Sequence, residues 1–90
     1  MILKLSDKFV LRNIKGVKLL VPIKKNNLSS LPMIINSTAY FLLENLKQQN
    51  DLNNIIILMK KKYNNINTKD IEYIEFYVQE LIKKGILYIL

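Results

Sequence analysis

Apolar residues in the first third of the chain recur with the period of β-strands. Residues 9–14 are rich in branched and aromatic side chains. Lys15-Gly16 follows, and because glycine adopts positive φ freely, this dipeptide predicts a tight turn. Beyond it, apolar residues occupy every second position, as in a half-buried strand: Val17, Leu19, Val21 and Ile23. The pattern predicts a β-hairpin.

A short third strand is predicted after the hairpin. Residues 24–30 are mainly polar and predict a loop, and residues 31–35 are again apolar around Pro32. Because proline has no N–H to donate to a ladder, this third strand should lie at the edge of the sheet or begin there.

The apolar period changes to that of α-helices after residue 36. Asn36, Ser37 and Thr38 offer N-caps for a first helix that should end near residues 48–50. Asp51 can cap a second helix, with Lys60, Lys61 and Lys62 in its last turn. Each helix carries apolar positions at i, i+3, i+4 and i+7, which predicts a buried stripe. The two stripes are Ala39, Leu42, Leu43 and Leu46, and Leu52, Ile55, Ile56 and Met59.

A third helix is predicted from Thr68, taken as its N-cap, to Gly85, taken as the C′ residue. Residues 86–90 should pack back on the body. The core-facing stripe of this helix is Ile71, Ile74, Val78, Leu81 and Ile82.

Strands that precede helices, rather than alternating with them, predict an α+β fold. We expect residues 1–90 to form a single domain, a three-stranded antiparallel sheet followed by three helices. This arrangement is compatible with a winged helix-turn-helix shape.

Composition disfavours catalysis. The chain has no cysteine and no histidine, which removes thiolate metal ligands, disulfides and the commonest general base. Its two glycines lie far apart and cannot form a phosphate cradle. We therefore expect no enzyme, no metal and no cofactor. No targeting or membrane-spanning pattern is present, which favours the cytoplasm.

The formal net charge is +7, and basic residues are spread along the chain. Such a surface attracts anionic partners, including acidic peptides and nucleic acids. The alternative is that the lysines serve solubility or reflect a biased genomic composition.

Two features are candidates for function. The third helix carries Tyr73, Phe76 and Tyr77 beyond the needs of one core stripe, and these rings either line a groove or are merely exposed. The third strand, with Met33, Ile34 and Ile35, presents an edge to which an extended peptide can add as a strand. The alternative for the strand is an edge protected by its shortness and by Pro32.

The chain also resembles the PqqD-like proteins over nearly its whole length. The resemblance lies in residues 5–16, 20–23 and 34–39, and in the closing segment Ile74, Tyr77-Val78, Leu81 and Gly85-Ile86-Leu87. No single motif is diagnostic, and the order and spacing carry the similarity. Tyr73 and Phe76 stand where relatives often have acidic or polar residues, which implies a more aromatic pocket.

The resemblance implies a RiPP recognition element, which binds the leader of a ribosomally made precursor peptide. In that family the leader adds to the third strand, in a groove against the third helix. The domain then presents the peptide to a modifying enzyme, often a radical SAM enzyme. The implied site is the one formed by Met33, Ile34, Ile35, Tyr73, Phe76 and Tyr77.

Two other functions are compatible with the sequence. A DNA-binding winged helix is permitted by the fold class and the charge, but Asp70, Glu72 and Glu75 on its recognition helix would repel phosphate. A structural subunit could use the same edge strand to form a homodimer.

Overall fold

A computed structural model describes residues 1–23, 32–48 and 50–90. The described residues form an α+β fold, with a three-stranded antiparallel sheet, a two-stranded sheet and three helices. In chain order the elements are β1 (Leu3–Leu5), β2 (Phe9–Ile14), β3 (Val17–Pro22), β4 (Met33–Ile34), α1 (Ser37–Asn45), α2 (Leu52–Lys62), α3 (Thr68–Lys83) and β5 (Leu87–Ile89). The predicted fold class, three antiparallel strands with three helices, is confirmed.

The predicted hairpin is formed by β2 and β3. Ile14 is paired with Val17, which leaves a two-residue turn at Lys15-Gly16. Both turn residues have positive φ, 51° for Lys15 and 86° for Gly16. A turn of this kind matches the twist of the flanking strands, so it fixes their register.

The predicted third strand corresponds to β4, which pairs antiparallel with β3. The sheet order β2-β3-β4 places β4 at an edge, as expected from Pro32. The predicted loop over residues 24–30 and the first residue of the predicted strand, Leu31, lie outside the described residues.

Helices α1 and α2 begin where the sequence predicts. The Asn36 side chain accepts the Ala39 N–H over 2.8 Å, and the Asp51 side chain accepts the Asn53 N–H over 3.0 Å. Helix α1 ends earlier than expected, at Asn45. Beyond it, Lys47 and Gln48 donate to carbonyls three residues back, so the chain tightens into turns.

The N-cap of α3 is Asn67, one residue before the predicted Thr68. Asn67 and Asp70 exchange hydrogen bonds of 2.9 and 3.0 Å between side chain and backbone, which makes a capping box. A cap at Thr68 would instead put Ile71 at the position that returns the bond, and its side chain cannot accept one. Gly85, at φ 74°, is the C′ residue of this helix, as predicted.

The small sheet of β1 and β5 is not in the predicted order of elements. Leu3, Lys4 and Leu5 pair with Ile89, Tyr88 and Leu87. Each strand has only three residues, and the pairing joins distant parts of the chain, so no local period indicates it. The expectation that residues 86–90 pack back is confirmed, since Ile86 and Leu87 are buried.

The core lies between the inner face of the large sheet and the three helices. The predicted stripes of α1 and α2 are buried, as are Ile74, Val78 and Leu81 of α3. In β3, however, the core residue is Leu20, whereas Val17 is exposed, as is Ile23 directly after the strand. The alternation predicted for this strand is present, but the more apolar set lies on the outer face. In the described part of the chain, no helix is long and apolar enough to cross a membrane.

Candidate functional site

The open edge of β4 carries main-chain groups that are not directed at its neighbour. Ile35 donates its N–H to the Lys18 carbonyl over 2.9 Å, so these two residues form a hydrogen-bonded pair. Hydrogen-bonded and non-hydrogen-bonded pairs alternate along an antiparallel ladder. Ile34, opposite Leu19, is therefore a non-hydrogen-bonded position. Its N–H and C=O point away from β3, toward the edge.

An apolar groove of about 200 Å³ runs between this edge and α3. Met33, Ile34 and Ile35 form one side, and Tyr73 and Tyr77 form the other. The floor consists of buried side chains from all three helices: Ala39, Leu42, Met59 and Ile74. Among the described lining residues, none carries a formal charge. The groove therefore suits apolar side chains delivered by an extended backbone.

Five of the six predicted site residues meet in this groove. The exception is Phe76, which does not line it and is 62% exposed elsewhere on α3. Tyr73 is similarly exposed, at 60%, but lies on the groove wall. Successive residues of a helix are rotated by about 100° around its axis. Phe76, three residues after Tyr73, therefore projects about 60° away from Tyr73 around the helix. Phe76 therefore lies outside the groove that the other five residues line.

The two tyrosines differ in their surroundings. Tyr77 is half-buried and packs against the core, whereas Tyr73 is exposed and does not belong to the core cluster. Burial raises the pKa of the Tyr77 phenol, and the neighbouring Tyr73 raises it further. The groove wall therefore combines an anchored ring, which favours its neutral form, with a more exposed ring toward the opening.

Asn36 fixes the end of the groove where β4 passes into α1. Its side chain caps the helix, and its carbonyl accepts the Tyr40 N–H over 3.0 Å. Asn36 thus has the structural role predicted for it, although it also lines the groove. Asn36 therefore fixes the first turn of α1 directly after the strand edge.

A second hollow continues the groove past the start of α3. It shares Asn36, Thr38, Tyr73 and Ile74 with the first and has a volume of about 320 Å³. Tyr63, Asn65, Ile66 and Asp70 complete its lining. The hollow is more polar than the groove, so an extended ligand would meet an apolar section at β4 and then a polar one.

The floor residues Ala39, Leu42 and Met59 were not predicted as part of the site. They belong to core stripes, and periodicity assigns such residues to packing. The one local signal is Ala39, whose small side chain stands among leucines on α1 and leaves room beside β4.

No family model, no curated protein and no solved structure matches the chain.

Proposed function

We propose that this protein is a non-catalytic domain that binds the leader of a ribosomally made precursor peptide and presents it to a modifying enzyme. The observation that carries the proposal is the outward-facing N–H and C=O of Ile34, which stand beside an apolar groove walled by Tyr73 and Tyr77. A peptide that adds to β4 as a fourth strand would pair with Ile34 and bury side chains in the groove.

The resemblance to PqqD-like proteins supports the same site, because those domains bind leaders between the third strand and the third helix. It also supports a winged helix-turn-helix arrangement for the sheet and helices, a cytoplasmic location and a radical SAM maturase as one kind of partner enzyme. The absence of histidine and cysteine from the sequence supports a binding role rather than catalysis.

The register of β4 defines the peptide that would fit. Residues directly opposite each other in an antiparallel pair direct their side chains to the same face. The peptide residue opposite Ile34 would therefore point to the outer face, and its two neighbours would point into the groove. We expect a leader segment of the form apolar–any–apolar, whose central residue is not proline because it must donate an N–H.

DNA binding has less support than peptide binding. The exposed residues in the first turns of α3 include Asp70, Glu72 and Glu75, which disfavour contact with phosphates. The groove beside this helix is uncharged among its described lining residues, and so offers nothing to a phosphate backbone.

The direct test is calorimetric titration with the leader encoded beside the gene for this chain. We expect a dissociation constant in the micromolar range or tighter, equivalent to about −8 kcal/mol. Backbone amide shifts should change at Met33, Ile34 and Ile35 and along one side of α3. No heat and no shift change at about 1 mM peptide, a concentration that would detect binding of about −4 kcal/mol, would refute the proposal.

Two additional titrations sharpen the result. A proline scan of the leader should reveal one position at which proline abolishes binding. Polar substitutions at the two flanking positions should weaken binding.

A salt series tests whether the +7 charge steers an acidic leader, because raising salt should then slow association more than it speeds dissociation. An affinity that does not change with salt would leave the lysines a role in solubility alone.

A further inference from the structure

The large sheet has a second free edge, on the side of β2 that faces away from β3. The sheet order β2-β3-β4 leaves this side of β2 without a partner strand in the described part of the chain. β2 has six residues, whereas β4 has two. A strand of six residues spans roughly 20 Å, so its edge is long enough to pair with another chain unless it is protected.

The register shows which main-chain groups of β2 face the free edge. Ile23 donates its N–H to the Lys8 carbonyl over 2.9 Å, so these two residues form a hydrogen-bonded pair. Bonded and non-bonded pairs alternate along the ladder, so every second residue of β2 points its N–H and C=O away from β3. These residues are Phe9, Leu11 and Asn13, with Leu11 at the centre.

The central acceptor of this edge is already occupied. The Arg12 guanidinium donates from Nη1 to the Leu11 carbonyl over 3.1 Å. At the start of the strand, the Phe9 N–H donates to the Ser6 carbonyl over 3.2 Å. A strand that paired with Leu11 would therefore have to displace a hydrogen bond from a charged donor.

The Arg12 side chain bends around the edge of the sheet. Arg12 follows the buried Leu11, so its side chain leaves the strand on the outer face. Its charge nevertheless acts on Tyr40 of α1, on the inner side of the sheet. Partial burial and the nearby Glu44 raise the pKa of the Tyr40 phenol, and the Arg12 charge opposes them. The guanidinium therefore lies at the edge itself, between the two faces.

A second copy of the chain carries a strand that matches this edge in length. In a two-fold antiparallel pair centred on Leu11, Phe9 of one copy faces Asn13 of the other, and all the outward residues are used. The registers shifted to either side place Leu11 opposite Phe9 or Asn13. Each of these registers needs the carbonyl that Arg12 occupies. The central one also brings the two guanidinium groups together at the two-fold axis, where like charges repel.

We propose that Arg12 closes the free edge of β2 to pairing with a second copy of the chain. The guanidinium occupies the central acceptor, and it adds a charge that two paired copies would have to desolvate. The two edges of one sheet are therefore unlike, because the main chain of Ile34 faces outward beside a groove and that of Leu11 is covered by a side chain. This inference does not depend on leader binding.

The test compares the self-association of Arg12→Thr with that of the parent. Threonine favours strands and Arg12 is exposed, so the variant should fold, and unchanged core signals from Leu11 and Leu20 check this. In sedimentation velocity, we expect the parent to show no pairing through β2 up to about 1 mM. The variant should dimerise with a dissociation constant of about 0.1 mM or tighter, at least tenfold below that limit.

Amide measurements locate the contact. In the dimer of Arg12→Thr, the amide signals of Leu11 and Asn13 should shift. Their amide hydrogens should also exchange more slowly with solvent, because they become bonded to the other copy.

Lys15→Asn is the matched control for charge. It removes one positive charge from the same hairpin, and asparagine tolerates the φ of 51° at this turn position. The variant leaves Arg12 on the Leu11 carbonyl, so it should stay monomeric under the same conditions.

Four outcomes would overturn the inference. Arg12→Thr that stays monomeric up to about 1 mM would show that the edge is closed without Arg12. Pairing of the parent through β2 would show that Arg12 does not close it. Equal association of Lys15→Asn would assign the effect to net charge, and shifts confined to β4 or β5 would place the contact at another edge.

Discussion

The open edge of β4 and the outer face of the large sheet are both apolar, but they expose different groups. At the β4 edge, the main chain of Ile34 has a donor and an acceptor directed away from β3, next to a groove. On the outer face, the exposed groups are side chains. An open edge selects an extended chain, because only a strand can satisfy main-chain groups in series. On a sheet face the main chain is already paired, so no such selection operates there.

The charge of the whole protein and the charge of the groove have different consequences for binding. The net charge of +7 attracts acidic partners to the whole protein. Within the described lining, however, the groove carries no formal charge. Charge should therefore affect how fast a leader meets the protein more than how tightly the groove holds it.

The largest effect is expected from Ile34→Pro. Proline removes the outward N–H but leaves the pairing with β3 intact, because Ile34 is a non-hydrogen-bonded position in that pair. The leader would lose one main-chain bond and leave a carbonyl unpaired, at a cost of about 1–3 kcal/mol. Calorimetry with the leader measures the loss.

Ile34→Val is the matched control, since it keeps the N–H, the branched shape and the β preference of the parent residue. We expect this variant to bind the leader like the parent. If Ile34→Pro also bound the leader normally while remaining folded, strand addition at β4 would be refuted and the groove would have to act through side chains alone.

A smaller effect on binding is expected from Tyr73→Ala. The ring lies on the groove wall but is not needed by the core, so leader affinity should fall by about 1–2 kcal/mol without loss of folding. Phe76→Ala is a matched control on the same helix, because the two side chains are almost equally exposed, at 60% and 62%. Equal losses of affinity from the two variants would show that the groove wall is not the contact.

The sequence is sufficient for most elements of the fold, because their signals are local. The caps Asn36 and Asp51, the turn at Gly16 and the stripe of α3 all depend on a few neighbouring residues. Pairing of β1 with β5 joins residues more than eighty positions apart, and neither strand is long enough to show a period. Burial of Leu20 rather than Val17 is likewise set by where α1 packs, which alternation cannot indicate.

The candidate site was predictable to a similar extent. Met33, Ile34, Ile35, Tyr73 and Tyr77 are brought together as expected, because an edge strand and a helix face can each be inferred from local patterns. The floor formed by Leu42 and Met59 depends on how three helices pack, and the exclusion of Phe76 depends on the rotation of α3. Neither is a property of any single segment.

The smallest expected effect concerns pH and the anchored ring of Tyr77. Burial, and then the proximity of Tyr73, raises the pKa of the Tyr77 phenol, so the folded protein holds this proton more tightly than the unfolded chain does. The associated stability is fully present below the unfolded pKa of about 10. This stability is lost as the pH rises from there through the raised pKa of the folded state.

Tyr77→Phe has no phenol to ionise and should lose less stability over that pH window, as measured by urea unfolding at pH 8 and above pH 10. Because the two proteins share every other side chain, the difference between them isolates Tyr77. An identical loss in the two proteins would show that the Tyr77 hydroxyl is solvated, and the groove wall would then be as open at Tyr77 as it is at Tyr73.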